Sequence, residues 1–231
     1  GIMTPRFVPM RVNVNGTSWG IMLAEEQFSN AYLELRREKA APIIKLTNED
    51  DMQVKLFLSN SKKFSKINID KNIVDLLSKW KGQLEIDVFN ERNYLNDPNY
   101  SGLISSAKSF NEGLTLNTIL PEEIEQFINV PKFAKVLASS LAWNETHSLS
   151  YTNIRFYLNP YTAQLEPIPT DHSKVNYARY QSIEKVKGLL PLITPVFYKI
   201  SALKLFQEEY LKALQNIGES YTNIKDDLKN I

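Results

Sequence analysis

The chain has no cysteine among its 231 residues, which excludes disulfide bridges, thiolate nucleophiles and cysteine-ligated zinc together. No apolar run approaches the roughly 18 residues that a membrane-crossing helix needs. Neither sign of charge is in excess. Lys and Arg number 27 against 26 Asp and Glu, so net charge gives no reason to expect nonspecific nucleic-acid binding. Internal repeats and low-complexity tracts are missing as well. Histidine is scarce: the chain has two, His147 and His172, and both flank one short segment. What is present suits a folded protein, with 43% hydrophobic and 11% aromatic residues. Disorder is excluded for the bulk of the chain, and the length suffices to bury a core as one large domain.

The segment between the histidines is the most informative. Ile154 to Leu158 alternates as a strand, Asn159-Pro160 and the polar residues after it make a turn, and Leu165 to Ile168 form a second short strand. An antiparallel hairpin places its two ends side by side. Asn153 at its start and Asp171 just past its end therefore become neighbours. A carboxylate and an amide oxygen are hard ligands that suit a magnesium ion held against phosphates. The plainer alternative is that both residues cap turns.

Elsewhere the chain reads as short elements. Arg6 to Val14 and Trp19 to Glu25 are strands joined at Asn15-Gly16, residues that tolerate the positive φ of a type I′ turn. Apolar spacing predicts a helix from Ser29 to about Lys39, with Ser29 as its N-cap. Pro42 to Leu46 is a strand carrying Lys45. Met52 to Leu58 suggests a strand, Asp70 to Trp80 a helix, Asp97-Pro98-Asn99 a turn, and Tyr100 to Gly113 a helix. Pro121 opens another helix. Pro131 to about Trp143 is a buried helix that delivers the chain into His147. Leu189 to Ile200 is apolar but broken by Pro191 and Pro195. Ala202, Phe206, Tyr210 and Leu214 share a helix face that Gly218 should end, after which Tyr221 to Ile231 should fray. The expected fold is α+β, strand-rich over 1–58 and mainly helical over 59–231 around the central hairpin, with more helix than strand.

Asn153-Ile-Arg-Phe-Tyr-Leu-Asn-Pro160, Leu165-Glu-Pro-Ile168 and Asp171, with His147 upstream, resemble the CotH family of atypical, spore-coat-type protein kinases. An earlier stretch, Val12-Asn-Val-Asn15-Gly16-Thr-Ser-Trp19-Gly20-Ile-Met-Leu-Ala-Glu-Glu26, resembles the same family, and the two occur in the family's order. The resemblance implies a single CotH-like domain over 1–231 with a protein-kinase-like fold. It also implies ATP as phosphate donor, Mg or Mn, and a Ser or Thr acceptor on a protein substrate. Coat or envelope proteins would be the partners, at an extracytoplasmic location, spore surface or cell envelope, with no nucleic acid involved.

Residue by residue, the resemblance makes Asn153 the catalytic-loop asparagine and Asp171 the metal-binding aspartate, with both as metal ligands. His147 joins them as a catalytic residue, and Glu26 and Lys45 become nucleotide contacts. Lys45 follows Glu26 in the chain, whereas ordinary kinases place the lysine strand before the glutamate helix; a solvated strand lysine is the alternative. Glu26 has its own alternative, the solvated end of an ordinary hairpin.

The general kinase signature sets the catalytic aspartate five residues before the asparagine, and position 148 here is serine. His147 or Glu145 would have to stand in for it, with His172 orienting the Asp171 loop; a loop histidine bonded to backbone is the alternative for His147. Asp171 itself is expected to be a buried carboxylate kept for its charge. CotH-like domains ordinarily carry strands rich in Arg, Gly, Ser and Lys before the Asn-Gly hairpin. This sequence opens on Gly1-Ile-Met, which reads as an expression remnant, so a fragment lacking those nucleotide-binding strands is expected. Three functions stay open: an ATP-dependent kinase, an inactive CotH-like scaffold, and another metal-dependent enzyme, such as a hydrolase, using His147, Asp171 and His172.

Overall fold

A two-stranded ribbon, a four-stranded antiparallel sheet and a set of helices make up the described residues, an α+β arrangement. The computed structural model describes residues 1–46, 86–89, 91–94, 96–116, 118–143, 145, 147–150, 153–172 and 195–229. The strand expected at 52–58, the helix at 70–80 and the stretch 189–194 lie outside them.

Strands β1 (Phe7–Val14) and β2 (Thr17–Glu25) form the first hairpin. Asn15 and Gly16 both take positive φ, 51° and 81°, as the primed turn requires. The register runs from Phe7 opposite Glu25 to Val14 opposite Thr17, with Trp19 as the extra residue of a bulge. Almost the whole hairpin is exposed. Trp19 is 60% and Ile21 74% accessible.

Helix α1 (Asn30–Glu34) begins as expected, with the Ser29 hydroxyl accepting from the Tyr32 amide at 3.2 Å. It ends at Glu34 and not near Lys39. Arg37 sits at φ 60°, its amide donates to the Glu34 carbonyl, and the Glu38 amide donates to Leu33. These two bonds are a Schellman closure, a position where glycine is the usual occupant. An arginine there gives the sequence no stop signal.

The central sheet has the order β4-β3-β5-β6, from β3 (Ile43–Lys45), β4 (Asp87–Val88), β5 (Arg155–Leu158) and β6 (Leu165–Ile168). Both faces are covered, which is why its strands read as near-continuous apolar runs. Ile44, Phe156, Leu158 and Leu165 face the large helical core. Ile43, Tyr157 and Ile168 face a smaller cluster with Tyr32 and Leu33. Between β5 and β6 the Asn159 side chain accepts the Tyr161 amide at 2.9 Å, an Asx turn of the kind Asn-Pro favours.

The helices follow proline and cap signals. α2 is Glu91–Tyr94 and α3 is Pro98–Leu116. Asp97-Pro98, expected as a turn, is the start of α3, where the Asp97 carboxylate accepts the Asn99 amide at 2.9 Å. α4 (Pro121–Phe127) leads to α5 (Val130–Ala142), capped by Asn129 on the Lys132 amide at 3.1 Å. Phe133 of α5 stacks on Phe156, ring centres 5.8 Å apart. Beyond α6 (Pro195–Ile200), α7 (Lys204–Lys229) packs along α5 and runs straight through Gly218. A helical glycine costs about 1 kcal/mol against alanine, and without a left-handed cap it does not stop a helix. The 221–229 segment is likewise helix. Among the described residues no helix is long and apolar enough to cross a membrane.

Buried charge ties α5 to the hairpin. Glu166 is 2% exposed and pairs with Lys132 at the first turn of α5, while Asn159 Nδ2 donates to its other oxygen at 2.9 Å. Lys132→Met, which strands that carboxylate, should cost about 3 kcal/mol in urea unfolding, and adding Glu166→Gln should recover much of it. The α1 closure gives a second expectation. Arg37→Gly should raise stability by about 1 kcal/mol by relieving the left-handed strain, while Arg37→Ala should leave the melting temperature unchanged.

Candidate active site

The site lies where α5 runs out. Past Ala142 the Glu145 amide donates back to the Ser140 carbonyl at 2.7 Å, and His147–Leu149 form one turn of 3-10 helix. The Asn153 and Ile154 amides close on the Ser150 carbonyl at 3.1 and 3.0 Å, and β5 starts. Arg155 pairs with Ile168 across the hairpin, so two residues further out Asn153 faces Thr170, whose hydroxyl donates to the Asn153 carbonyl. Asp171 follows immediately, with φ 53°.

Three of the sequence-predicted residues are thereby brought together. Asn153 Nδ2 donates to the His147 carbonyl at 3.0 Å. His147 Nε2 lies 3.0 Å from Asp171 Oδ2. His147 is the shared partner, its backbone holding the asparagine and its ring the aspartate. Asp171 is not the buried carboxylate expected: its side chain is 65% exposed and that of His147 42%. It sits past the last residue pair of the sheet. Asn153, by contrast, is buried.

Behind this open face lies a closed one. Glu145 Oε1 accepts the Ser148 amide at 2.9 Å and Oε2 accepts the Ser148 hydroxyl at 2.7 Å. His172 Nδ1 lies 3.2 Å from the same Oε2. Burial pushes the Glu145 carboxyl up, but the bonds from Ser148 and His172 outweigh it and leave the pKa lowered. Ser148, five residues before Asn153, is completely buried. Neither it nor Glu145 offers a carboxylate to the open side.

Lys45 is buried rather than solvated, 7% exposed. It ends β3, opposite Asp87 in the register and 3.9 Å from its carboxylate. Ile44 pairs with Phe156, so Lys45 lies beside the start of β5, at the Asn153 end of the sheet. Sequence reasoning missed this burial because β4, which flanks Lys45, has only two residues and carries no pattern. Thr170 was missed too; only the hairpin register reveals it.

None of the contacts described for Glu26 is with the His147 group. Arg36 donates to both its oxygens, at 2.6 and 3.3 Å, and the Arg6 amide and guanidinium add bonds at 3.1 and 3.3 Å. Arg36 also donates to the Thr4 and Tyr32 carbonyls and lies 3.6 Å over the Tyr32 ring. The contacts described for Glu26 are those of a clamp between hairpin base and α1.

Among the described residues no group of three or more His, Asp or Glu is arranged to hold a metal. Asp171 and Asn153 offer one carboxylate and one amide oxygen. Magnesium is commonly bound by one or two protein oxygens, with water and substrate phosphates completing its shell, so the donor set fits that ion class.

Glu26 carries a pH expectation. The Arg36 bonds, against the opposing effect of burial, and then the Arg6 bonds hold its carboxyl at about 2, below the ordinary 4.5. A depressed folded pKa adds stability that is fully present above pH 4.5 and is lost as pH falls through about 2. Acid unfolding of Glu26→Gln should lack that step when melting temperature is followed against pH.

Among curated proteins nothing matches the sequence. The family model described as CotH kinase protein matches residues 1–223, a span that includes both hairpins, the central sheet and the His147–Asp171 segment. With all but its last residues matched, the chain belongs to the CotH kinase protein family.

Proposed function

We propose that the chain carries the phosphoryl-transfer site of an ATP-dependent protein kinase acting on Ser or Thr of a protein substrate, with Mg or Mn held by Asp171 and Asn153. The observation that supports this best is the link from Asp171 through His147 to Asn153, two bonds of 3.0 Å each. It ties a carboxylate, an imidazole and an amide together at the end of one rigid hairpin. Phosphoryl transfer asks the protein mainly for position and charge. When bound, the divalent cation neutralises charge developing on the phosphate oxygens.

The chain's own residues divide the remaining work. Asp171 directs its exposed carboxylate to the open side, with His147 fixing its orientation. Asn153 is set by the His147 carbonyl and by Thr170 at its own carbonyl. The His147 imidazole, half-exposed beside Asp171, accepts the proton of the acceptor hydroxyl in place of the missing aspartate. Lys45, buried at this end of the sheet, is the cation within the scaffold that addresses the nucleotide phosphates.

One observation favours a second reading. Ser148 occupies the aspartate position and is wholly buried against Glu145, which suits an inactive member that binds coat or envelope proteins as a scaffold. Asp171→Asn separates the two. Asparagine tolerates the left-handed conformation, so stability without ligand should stay within about 0.5 kcal/mol. Transfer from ATP with Mn should vanish, and so should the rise in melting temperature that saturating nucleotide gives the full-length wild type. That rise corresponds to about 2.7 kcal/mol at 100 times the dissociation constant. Wild-type protein showing neither transfer nor stabilisation would leave the scaffold reading in place.

A further inference from the structure

We infer that Glu145 is the positioning residue of this site, one buried carboxylate that sets both His147 and Asp171 by holding the residue after each. The inference rests on the reading of Asp171 as a metal ligand. Ser148 follows His147 and His172 follows Asp171; both side chains converge on Glu145, at 2.7 and 3.2 Å from Oε2. The Ser148 amide fills Oε1 at 2.9 Å. The front pair, His147 with Asp171, is thus backed by a second tie one residue further along each strand of chain.

The backbone of Asp171 shows why such a tie is needed. Its φ of 53° lies in the left-handed region, which aspartate tolerates better than most residues but still at some cost unless its neighbours hold it. Thr170 on one side is bonded to the Asn153 carbonyl and His172 on the other to Glu145. The strained residue is bracketed by two anchors. A role confined to folding the 3-10 turn accounts for the two Ser148 bonds, which are local. It does not account for the His172 contact, which spans 27 positions of sequence and involves a ring 39% exposed. That contact connects the turn to the Asp171 loop.

Partners that orient metal ligands typically change metal affinity by about 10- to 100-fold when removed. The test titrates full-length wild type, Asp171→Asn, Glu145→Gln and His172→Ala with a non-hydrolysable ATP analogue by calorimetry, with Mn and again with EDTA. The inference expects Glu145→Gln and His172→Ala to bind the Mn complex about 10-fold or more weakly and the metal-free analogue as wild type does. A merely structural role would move both titrations together or neither. Asp171→Asn losing the Mn contribution while Glu145→Gln and His172→Ala keep it would overturn the Glu145 role and leave the kinase reading standing. Failure of wild type to bind the Mn complex at all would overturn both. His172→Ala removes an exposed ring and leaves the Glu145–Ser148 pair intact, so it decides the question even where Glu145→Gln fails to fold.

Discussion

A carboxylate sealed from water must be paired where it lies, and Glu166 imposes that demand on the whole centre of the molecule. Lys132 answers it from the first turn of α5, and Asn159 answers it from the hairpin turn. The Asn129 amide adds a backbone bond to the Leu165 carbonyl at 3.0 Å. Hairpin and helix are therefore pinned together at the end remote from the site. From that pin α5 and β6 lead the same way. Each then delivers its continuation, Glu145 to Leu149 from one and Thr170 to His172 from the other, to the same place. The loops that carry His147, Asn153 and Asp171 thus start from two elements that this ion pair fixes to each other.

Two carboxylates show how environment assigns different work to one chemical group. Glu145 and Asp171 belong to the same pair of loops. Glu145 turns inward, is buried, and has its charge satisfied by a hydroxyl, an amide and an imidazole. Asp171 turns outward and keeps most of its surface in solvent. A buried, fully bonded carboxylate is a poor metal ligand or base because binding anything else means breaking bonds in a low dielectric. The outward one has room for water and phosphates. Ser148 explains the division: a serine donates to Glu145, whereas an aspartate at that position would set two negative charges against each other in a closed space.

Much of this was legible in the sequence, for local reasons. Asn15-Gly16 specified a primed turn, Asn159-Pro160 a turn, and Pro131 a helix start. Antiparallel pairing then made Asn153 and Asp171 neighbours without further information. What escaped was non-local or unmarked. Arg37 closes α1 where glycine would have announced the stop, and Gly218 lies inside α7 where glycine falsely suggested one. Lys45 is buried partly by Asp87, which is far away in sequence, on a strand too short to show a pattern. Asp171 was expected to be a buried carboxylate kept for its charge, but burial ends with the sheet at Ile168 and Thr170. The Glu145–Ser148 bonds depend on how the chain turns after α5, and residue spacing does not encode that turn.

The same contrast between local signal and long-range anchoring explains how the first hairpin stands at all. A two-stranded ribbon with both faces in water is marginal by itself, and Val8, Met10, Ile21, Met22 and Leu23 are all exposed on it. Its turn chemistry fixes register but supplies little stability. Stability comes from the base, where the Glu26 amide donates to the Arg6 carbonyl at 2.9 Å and the Glu26 carboxylate gathers Arg6 and Arg36. Arg36 carries that anchor into the body through the Thr4 and Tyr32 carbonyls and the face of the buried Tyr32 ring. Glu26 is therefore worth more as the foot of the ribbon than its surface position suggests. Its depressed pKa is the electrostatic record of that load, because a carboxylate that two guanidinium groups hold gives up its proton far more readily than one in water.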